Sequence, residues 1–316
     1  MLVQTQAVAR RAATNPLIRW LWPWAPFLAM MAWAWRVGDL FHNVPAYGDS
    51  LEVLWGLGWY AQSLAHWHNP LFFPGVFAPQ GWQVASLAHG PVFFLALLPL
   101  YALGGAAFAF NLTGLAANAV AFASLYKLAR LWLSPFASTM AALAYTFWEY
   151  RWFRTEGHLH TLISTALLPL MVWAWEQARR RSAQRTRWFF IAGVLWAASI
   201  TASLYALWHG LLLLLAWGLV EVLARRMAPK VAAKGFLVLA FTALIFSSPT
   251  LWLFWRAEAS SLSHFYSVGF LVGWSASLNS FPVPSLFQPF LKGFARALDR
   301  GPLDESEVAN FGSPPA

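Results

Sequence analysis

Long apolar runs that alternate with tight clusters of lysine and arginine constrain this chain more than any other feature. A transmembrane helix needs about 20 predominantly apolar residues. Candidate runs lie at 20–37, 87–104, 107–126, 135–150, 160–176, 188–207, 209–224 and 235–255. The basic clusters between them are Lys127 with Arg130, Arg179 to Arg187, and Arg225 to Lys234. This pattern predicts an all-α protein, a polytopic transmembrane helical bundle.

Composition supports the same class. The chain is 59% hydrophobic and 10% charged, whereas soluble domains carry roughly 25% charged residues. A net charge of +9 would suggest nucleic acid in a soluble domain, but here the basic residues flank apolar runs, as the positive-inside rule requires. We therefore expect a lipid bilayer as partner and no nucleic acid. The absence of cysteine excludes disulfides, zinc–thiolate sites and thiol nucleophiles.

The basic clusters also predict how the chain is threaded. Arginines at 10, 11 and 19 place the N-terminus in the cytoplasm. After the first run crosses outward, only an odd number of further crossings brings Lys127 inside, so 87–104 and 107–126 cannot both span. The run 87–104 contains Pro91 and Pro99, which a lipid-exposed helix tolerates poorly. We expect it to form a horizontal or re-entrant helix at the outer surface.

The resulting prediction is a multi-pass protein of the cell membrane with about seven spans and an extracytoplasmic active face. Residues 1–255 form the transmembrane domain, with a long first extracytoplasmic loop from about 39 to 106 that carries interfacial helices. Residues 256–316 form an extracytoplasmic tail, which we expect to be the start of a missing C-terminal part. A cleaved signal peptide is the alternative for the first run, but no small-residue cleavage site follows it.

On this threading all eight histidines and ten of the twelve carboxylates lie outside. The first polar cluster contains Asp49 and Glu52, which share a helix face at a spacing of three. Two close carboxylates raise the pKa of one of them, which suits a general base or a metal-binding pair. The alternative is a capping box at a helix start. We take both residues as catalytic candidates.

The helix that follows these acids carries one polar stripe. Asp49, Glu52, Gly56, Ser63 and His66 recur at spacings of three, four or seven. The rest of its surface is apolar, so we expect it to lie in the membrane interface with the stripe toward water.

The second polar cluster runs from Glu149 to His160. Arg151 and Arg154 are candidates for binding a donor phosphate, because arginine grips phosphate with a bidentate fork. His158 is a catalytic candidate for proton transfer. His158 and His160 point to different faces of a helix, so we predict no metal site there. The alternative role for this cluster is a set of interfacial ion pairs.

Three further charged residues complete the sequence reading. Arg256 is a third candidate for donor-phosphate binding, although it equally suits a helix anchor. Glu176 and Glu221 flank the cytoplasmic basic clusters, and we expect them to be solvated.

These features resemble the GT-C superfamily of polytopic glycosyltransferases, and in particular its bacterial, mostly uncharacterised branch. The resemblance rests on Gly48-Asp49 followed by Trp55 and Trp59, and on the later Tyr150-Arg151 with Gly157-His158. It covers roughly residues 20 to 290. Its motifs are short, and the two acids are separated by Ser50-Leu51 rather than adjacent.

The resemblance implies a sugar transfer from a polyprenyl-phosphate donor to an extracytoplasmic acceptor, with inversion. Asp49 would be the base, and Arg151 with His158 would stabilise the leaving phosphate. Some members bind a divalent metal at the first-loop acids and others need none, so the cofactor stays open. The alternative functions are a polytopic transporter or flippase and a non-catalytic membrane scaffold.

Overall fold

The computed structural model describes residues 22–35, 39–44, 48–75, 79, 81–83, 90–155 and 157–260. Apart from one short hairpin and a turn of 3-10 helix at Ser182–Gln184, its regular elements are α-helices, as predicted. The helices are α1 Trp24–Ala34, α2 Gly48–Ala65, α3 Pro91–Ala129, α4 Pro135–Thr146, α5 Glu149–Thr155, α6 Leu159–Arg180, α7 Arg185–Ala202, α8 Tyr205–Leu223 and α9 Pro229–Ser260. The hairpin pairs β1 Phe72–Phe73 with β2 Trp82–Gln83, antiparallel.

Three of these helices, α3, α8 and the stretch of α9 up to Arg256, are long and apolar enough to cross a membrane. The shorter α1 is apolar as well. This finding supports the predicted membrane location.

Helix α3 is two helices joined at a sharp break. Gly105 has φ 79° and ψ −177°, a conformation that is essentially restricted to glycine. The sequence places the end of the 87–104 helix at this position, and the structure confirms the break. The horizontal or re-entrant placement of the first half stays a prediction.

The helix bundle has two chemically different ends. The histidine end consists of residues 39–44, 154–155, 157–160 and 203–209, and the arginine end consists of residues 127–132, 176–187 and 221–234. Helices α6 and α8 run from the histidine end to the arginine end. Helices α7 and α9 run the other way, because they follow in sequence after tight turns at each end.

Small residues allow these helices to approach closely. A Cβ on Gly193 of α7 would lie 2.6 Å from the backbone oxygen of Leu239 on α9, and a Cβ on Gly210 of α8 would lie 2.2 Å from the Trp196 indole nitrogen. The same indole donates a hydrogen bond of 2.8 Å to the Ala206 carbonyl. Close backbone approach of this kind is typical of helix packing within a membrane.

The predicted orientation of α2 is wrong in one respect. Gly56 and Ser63 belong to the stripe that we expected to face water, yet both are buried, and Gly56 lies against the first half of α3. A Cβ on Gly56 would lie 2.4 Å from the Phe94 ring, so the glycine is where the two helices meet. Glu52 is half-buried at the edge of this contact, and His66 is exposed.

The hairpin covers another side of α2. The Trp59 indole donates a hydrogen bond of 2.9 Å to the Pro70 carbonyl, and the Trp55 and Trp82 rings stack with centroids 5.7 Å apart. The aromatic segment after α2 therefore folds back onto this helix.

Candidate functional site

A break between α4 and α5 places a charged side chain inside the bundle. Helix α4 ends at Thr146 and α5 begins at Glu149, so the predicted span 135–150 is interrupted near its end. Residues of α5 then pack inward: Arg151 is 2% exposed, Trp152 is 5% exposed and Thr155 is 2% exposed. The predicted outer cluster is therefore partly buried, and it is not simply a surface loop.

The contacts of Arg151 fix its guanidinium against α6. Its Nη1 donates to the Leu162 carbonyl at 3.2 Å and to the Thr165 hydroxyl. The guanidinium carbon lies 5.2 Å from the centroid of the Tyr145 ring, and the Tyr145 hydroxyl donates to the Thr165 carbonyl at 2.6 Å. A buried charge in a membrane protein is expensive and usually functional.

Imidazoles and a second arginine surround the beginning of α6. The His158 and His160 rings are 5.7 Å apart, and His160 lies 6.3 Å from the Tyr205 ring at the start of α8. Arg154 interacts electrostatically with His209, one turn further along α8. Arg154 and His158 are half-buried, whereas His160 is 1% exposed. This group of cationic and imidazole side chains is suited to an anionic ligand.

One face of α3 joins this region to the first loop. The Asn111 side-chain nitrogen donates to the carbonyls of Leu40 at 3.0 Å and Asn43 at 2.7 Å. The Asn118 side-chain nitrogen donates to the Thr155 hydroxyl at 3.3 Å. Two helical turns, about 10.5 Å, separate these asparagines. The loop that leads to α2 and the C-terminal end of α5 therefore adjoin the same face.

The orientation of both amides follows from their partners. Carbonyls only accept hydrogen bonds, so Asn111 must turn its nitrogen toward the loop. The Thr155 hydroxyl uses its hydrogen on the Arg151 carbonyl, at 3.1 Å, so it accepts from Asn118. Within the described residues, the side-chain oxygens of both asparagines are buried and accept no hydrogen bond.

The predicted site residues divide into three groups. Arg151, Arg154 and His158 lie together around α5 and the start of α6. Glu52 is half-buried on α2, and Asp49 lies in the first turn of that helix, but its side chain is outside the described residues, as are those of Glu149 and Glu156.

Arg256 forms the third group by itself. It is exposed on α9, and its guanidinium lies 5.4 Å from the ring of Trp252 on the same helix. This contact suits the anchoring role better than a contact with α5.

The part of the chain that the structure describes contains no group of three or more histidines or carboxylates that could hold a metal ion.

Sequence reasoning missed the two buried asparagines. The sequence does contain a pattern that could have identified them. Asn111 and Asn118 are polar amides spaced by seven inside the apolar run 107–126, so they lie on one helix face. A polar side chain within a predicted span is a functional candidate by default.

The expectation for the carboxylates at the arginine end is wrong. Glu176 and Glu221 are both 0% exposed, whereas we expected them to be solvated. Each is held by arginines, which offset the cost of its burial.

Comparisons with known proteins give no family. No family model matches the chain, and no curated protein or solved structure matches it at a significant level.

Proposed function

We propose that this protein is a membrane glycosyltransferase of the GT-C type, which moves a sugar from a polyprenyl-phosphate donor to an extracytoplasmic acceptor. The observation that carries the proposal is the buried guanidinium of Arg151, held by Leu162 and Thr165 beside the Arg154 and His158 region. An anionic leaving group needs fixed positive charge at this kind of protected position.

In the proposed reaction Asp49 takes the proton from the acceptor hydroxyl. The acceptor oxygen forms a bond to the anomeric carbon as the bond from that carbon to the phosphate oxygen breaks, so the sugar inverts. The electron pair leaves with the polyprenyl phosphate, whose charge Arg151 and Arg154 stabilise and which His158 contacts by hydrogen bonding. The buried oxygens of Asn111 and Asn118 are suitable acceptors for hydroxyl groups of the sugar.

The proposal includes the finer topology. Seven spans with a cytoplasmic N-terminus place the histidine end outside the cell membrane. The alternating directions of α6 to α9 support this arrangement. Cysteine scanning with an impermeant reagent tests it directly, because the natural chain has no cysteine. Cysteines introduced at His42, which is exposed at the histidine end, and at Ser182, which is exposed at the arginine end, should be labelled from opposite sides.

The activity is tested with polyprenyl-phosphate-linked sugars and the full-length protein in liposomes. The wild type should release polyprenyl phosphate, and Asp49→Asn and Arg154→Gln should each lose activity by about 100-fold or more. Arg187→Gln is the matched control, because it removes an exposed arginine at the other end of the bundle and should leave turnover unchanged. Equal turnover in the wild type and Asp49→Asn would remove the proposed base.

A transporter or flippase is the second candidate, and the broken α4–α5 element with its buried arginine favours it. Transporters often use discontinuous helices and ionisable groups near the substrate path. In the same liposomes, a flippase would move the lipid-linked sugar across the bilayer without cleaving it. Movement without cleavage would replace the transferase proposal.

A further inference from the structure

We infer that the arginine end binds the phosphate of an anionic phospholipid headgroup, in a site formed by Arg180, Arg226 and Trp132. The site lies at the end of the bundle remote from Arg151, and the inference rests on the proposed topology but not on the proposed reaction.

The base of this site is an ion network between α6 and α8. Arg179 Nη2 lies 2.7 Å from Glu176 Oε2, and Arg179 Nε lies 3.2 Å from Glu221 Oε2. The Trp217 indole donates to Glu176 Oε1 at 3.2 Å. Because both carboxylates are buried and shared with Arg179, the network fixes the ends of the two helices relative to each other.

Two further arginines complete the network from outside. Arg180 Nε lies 3.7 Å from Glu176 Oε2, and Arg226 Nη1 lies 3.3 Å from Glu221 Oε1. Their side chains are 36% and 52% exposed. Three guanidiniums thus face two carboxylates, so the group keeps one net positive charge, and that charge is on its exposed side. Each guanidinium has five N–H donors, so Arg180 and Arg226 can each bind a phosphate in addition to their carboxylate.

The backbone after α8 directs Arg226 into this position. Arg225 has φ 55°, the left-handed conformation that usually requires glycine at a helix end. The amide nitrogens of Arg226 and Met227 then both donate to the Glu221 carbonyl, at 2.9 and 3.2 Å. The chain therefore turns back, and the Arg226 side chain contacts the carboxylate of Glu221, whose carbonyl accepts these two backbone hydrogen bonds.

The depth of the site matches a lipid headgroup. Helix α8 has 19 residues, about 28 Å of helix, which is close to the hydrocarbon thickness of a bilayer. Arg226 follows its last turn directly and therefore lies at the level of the lipid phosphates.

Trp132, in the turn that follows α3, lies at the same level. It is 45% exposed, its ring lies 6.0 Å from Trp217, and the Arg180 guanidinium carbon lies 5.5 Å from its centroid. Tryptophan is enriched at the membrane–water interface, and basic pockets between membrane helices on the cytoplasmic side bind anionic headgroups. Exposed basic residues at Arg181, Arg225, Lys230 and Lys234 raise the local potential further.

The test is native mass spectrometry of the full-length protein released from mixed micelles of phosphatidylglycerol and phosphatidylcholine. The wild type should retain phosphatidylglycerol selectively, and the double variant Arg180→Gln/Arg226→Gln should retain it at least tenfold less. Arg187→Gln removes an exposed arginine outside the network and should stay within twofold of the wild type. Trp132→Ala leaves every ion pair in place, so it should fold and still lose retention.

Four results would overturn the inference. Equal losses in Arg187→Gln and the double variant would mean a diffuse charge effect. Equal retention of phosphatidylcholine would mean general lipid contact. Full displacement of the lipid by millimolar inorganic phosphate would mean a site for a free anion. If the double variant does not fold, unchanged retention in folded Trp132→Ala would overturn it by itself.

Discussion

Arg179 Nε lies 3.2 Å from Glu221 Oε2, so a guanidinium on α6 holds a carboxylate that belongs to α8. The same guanidinium donates two hydrogen bonds to Glu176, at 3.0 and 2.7 Å. The hydrogen bonds that Arg179 donates to Glu176 raise the pKa of the guanidinium above its ordinary value, so this arginine stays charged throughout the range in which proteins are studied. One side chain thus contacts two carboxylates that are both 0% exposed, and Arg180 and Arg226 supply the remaining positive charge.

We therefore expect Arg179→Gln to lower the free energy of unfolding by about 3–5 kcal/mol, because it leaves buried carboxylates without their shared partner. Replacing the carboxylates as well, in Arg179→Met/Glu176→Leu/Glu221→Leu, should recover most of that loss. The measurement is reversible unfolding in mixed micelles.

Arg187→Gln is the control for this series and should change stability by less than about 0.5 kcal/mol. If Arg179→Gln lowers the free energy of unfolding by as little as the control does, the two carboxylates are not desolvated.

Gly105 and Gly58 allow a clean test of backbone strain, because a Cβ on either residue would meet nothing within 4 Å. They differ in conformation. Gly105 has φ 79° and ψ −177°, whereas Gly58 lies inside α2. Gly105→Ala should therefore destabilise the protein by about 1–3 kcal/mol, and Gly58→Ala should stabilise it by up to about 1 kcal/mol.

Thermal unfolding in detergent measures both glycine variants under the same conditions. The same small change in both would mean that α3 continues through residue 105 as a straight helix.

Local sequence signals predicted the secondary structure well where the cause is local. The glycines at 104 and 105 act on their own backbone, so a break at this point was visible in the sequence, whereas the helix begins at Pro91 and continues through Pro99. Proline also begins α4, where Ser134 accepts a hydrogen bond from Ala137 at 3.3 Å.

Whether a side chain is buried depends on the helix that packs against it, so burial was not predictable from local sequence. The sequence beside Glu176 is basic, which suggests solvation, but the Glu176 side chain faces Trp217 and Arg179. For the same reason the sequence offered Arg151, Arg154 and His158 as candidates, but it did not predict that α5 would turn into the bundle.

The Asp39–His42 pair predicts a local response to pH. Asp39 Oδ2 lies 2.6 Å from His42 Nδ1, and Asp39 Oδ1 accepts a hydrogen bond from the Phe41 amide at 2.8 Å. These two hydrogen bonds hold the pKa of Asp39 below its ordinary value of 3.8, and the bond to His42 has the larger effect. Because the pKa is lowered by folding, the stabilisation is present above pH 3.8 and is lost as the pH falls through the lowered value.

Hydrogen exchange checks this response at single amides. The protection factor of the Phe41 amide should fall at low pH, whereas that of the Asn43 amide should not, because it donates to the Asp39 backbone carbonyl at 3.1 Å. In Asp39→Asn the Phe41 amide should lose its pH dependence. Parallel changes at Phe41 and Asn43 would mean that the whole loop opens with acid.

Asn111 gives the sharpest prediction about the candidate site, because both of its side-chain hydrogens are committed to loop carbonyls. Asn111→Leu should lower the free energy of unfolding by about 2 kcal/mol, since it leaves the carbonyls of Leu40 and Asn43 without donors. Asn111→Asp has nearly the same shape but should be worse, because an ionised carboxylate offers only acceptors to those carbonyls and is itself buried.

Asn118→Leu removes one hydrogen bond of 3.3 Å and should have a smaller effect, of about 1 kcal/mol. The local readout is exchange at the Asn43 amide, which should speed up in both Asn111 variants and stay unchanged in Asn118→Leu. If Asn111→Asp is as stable as the wild type, the amide does not hold the loop.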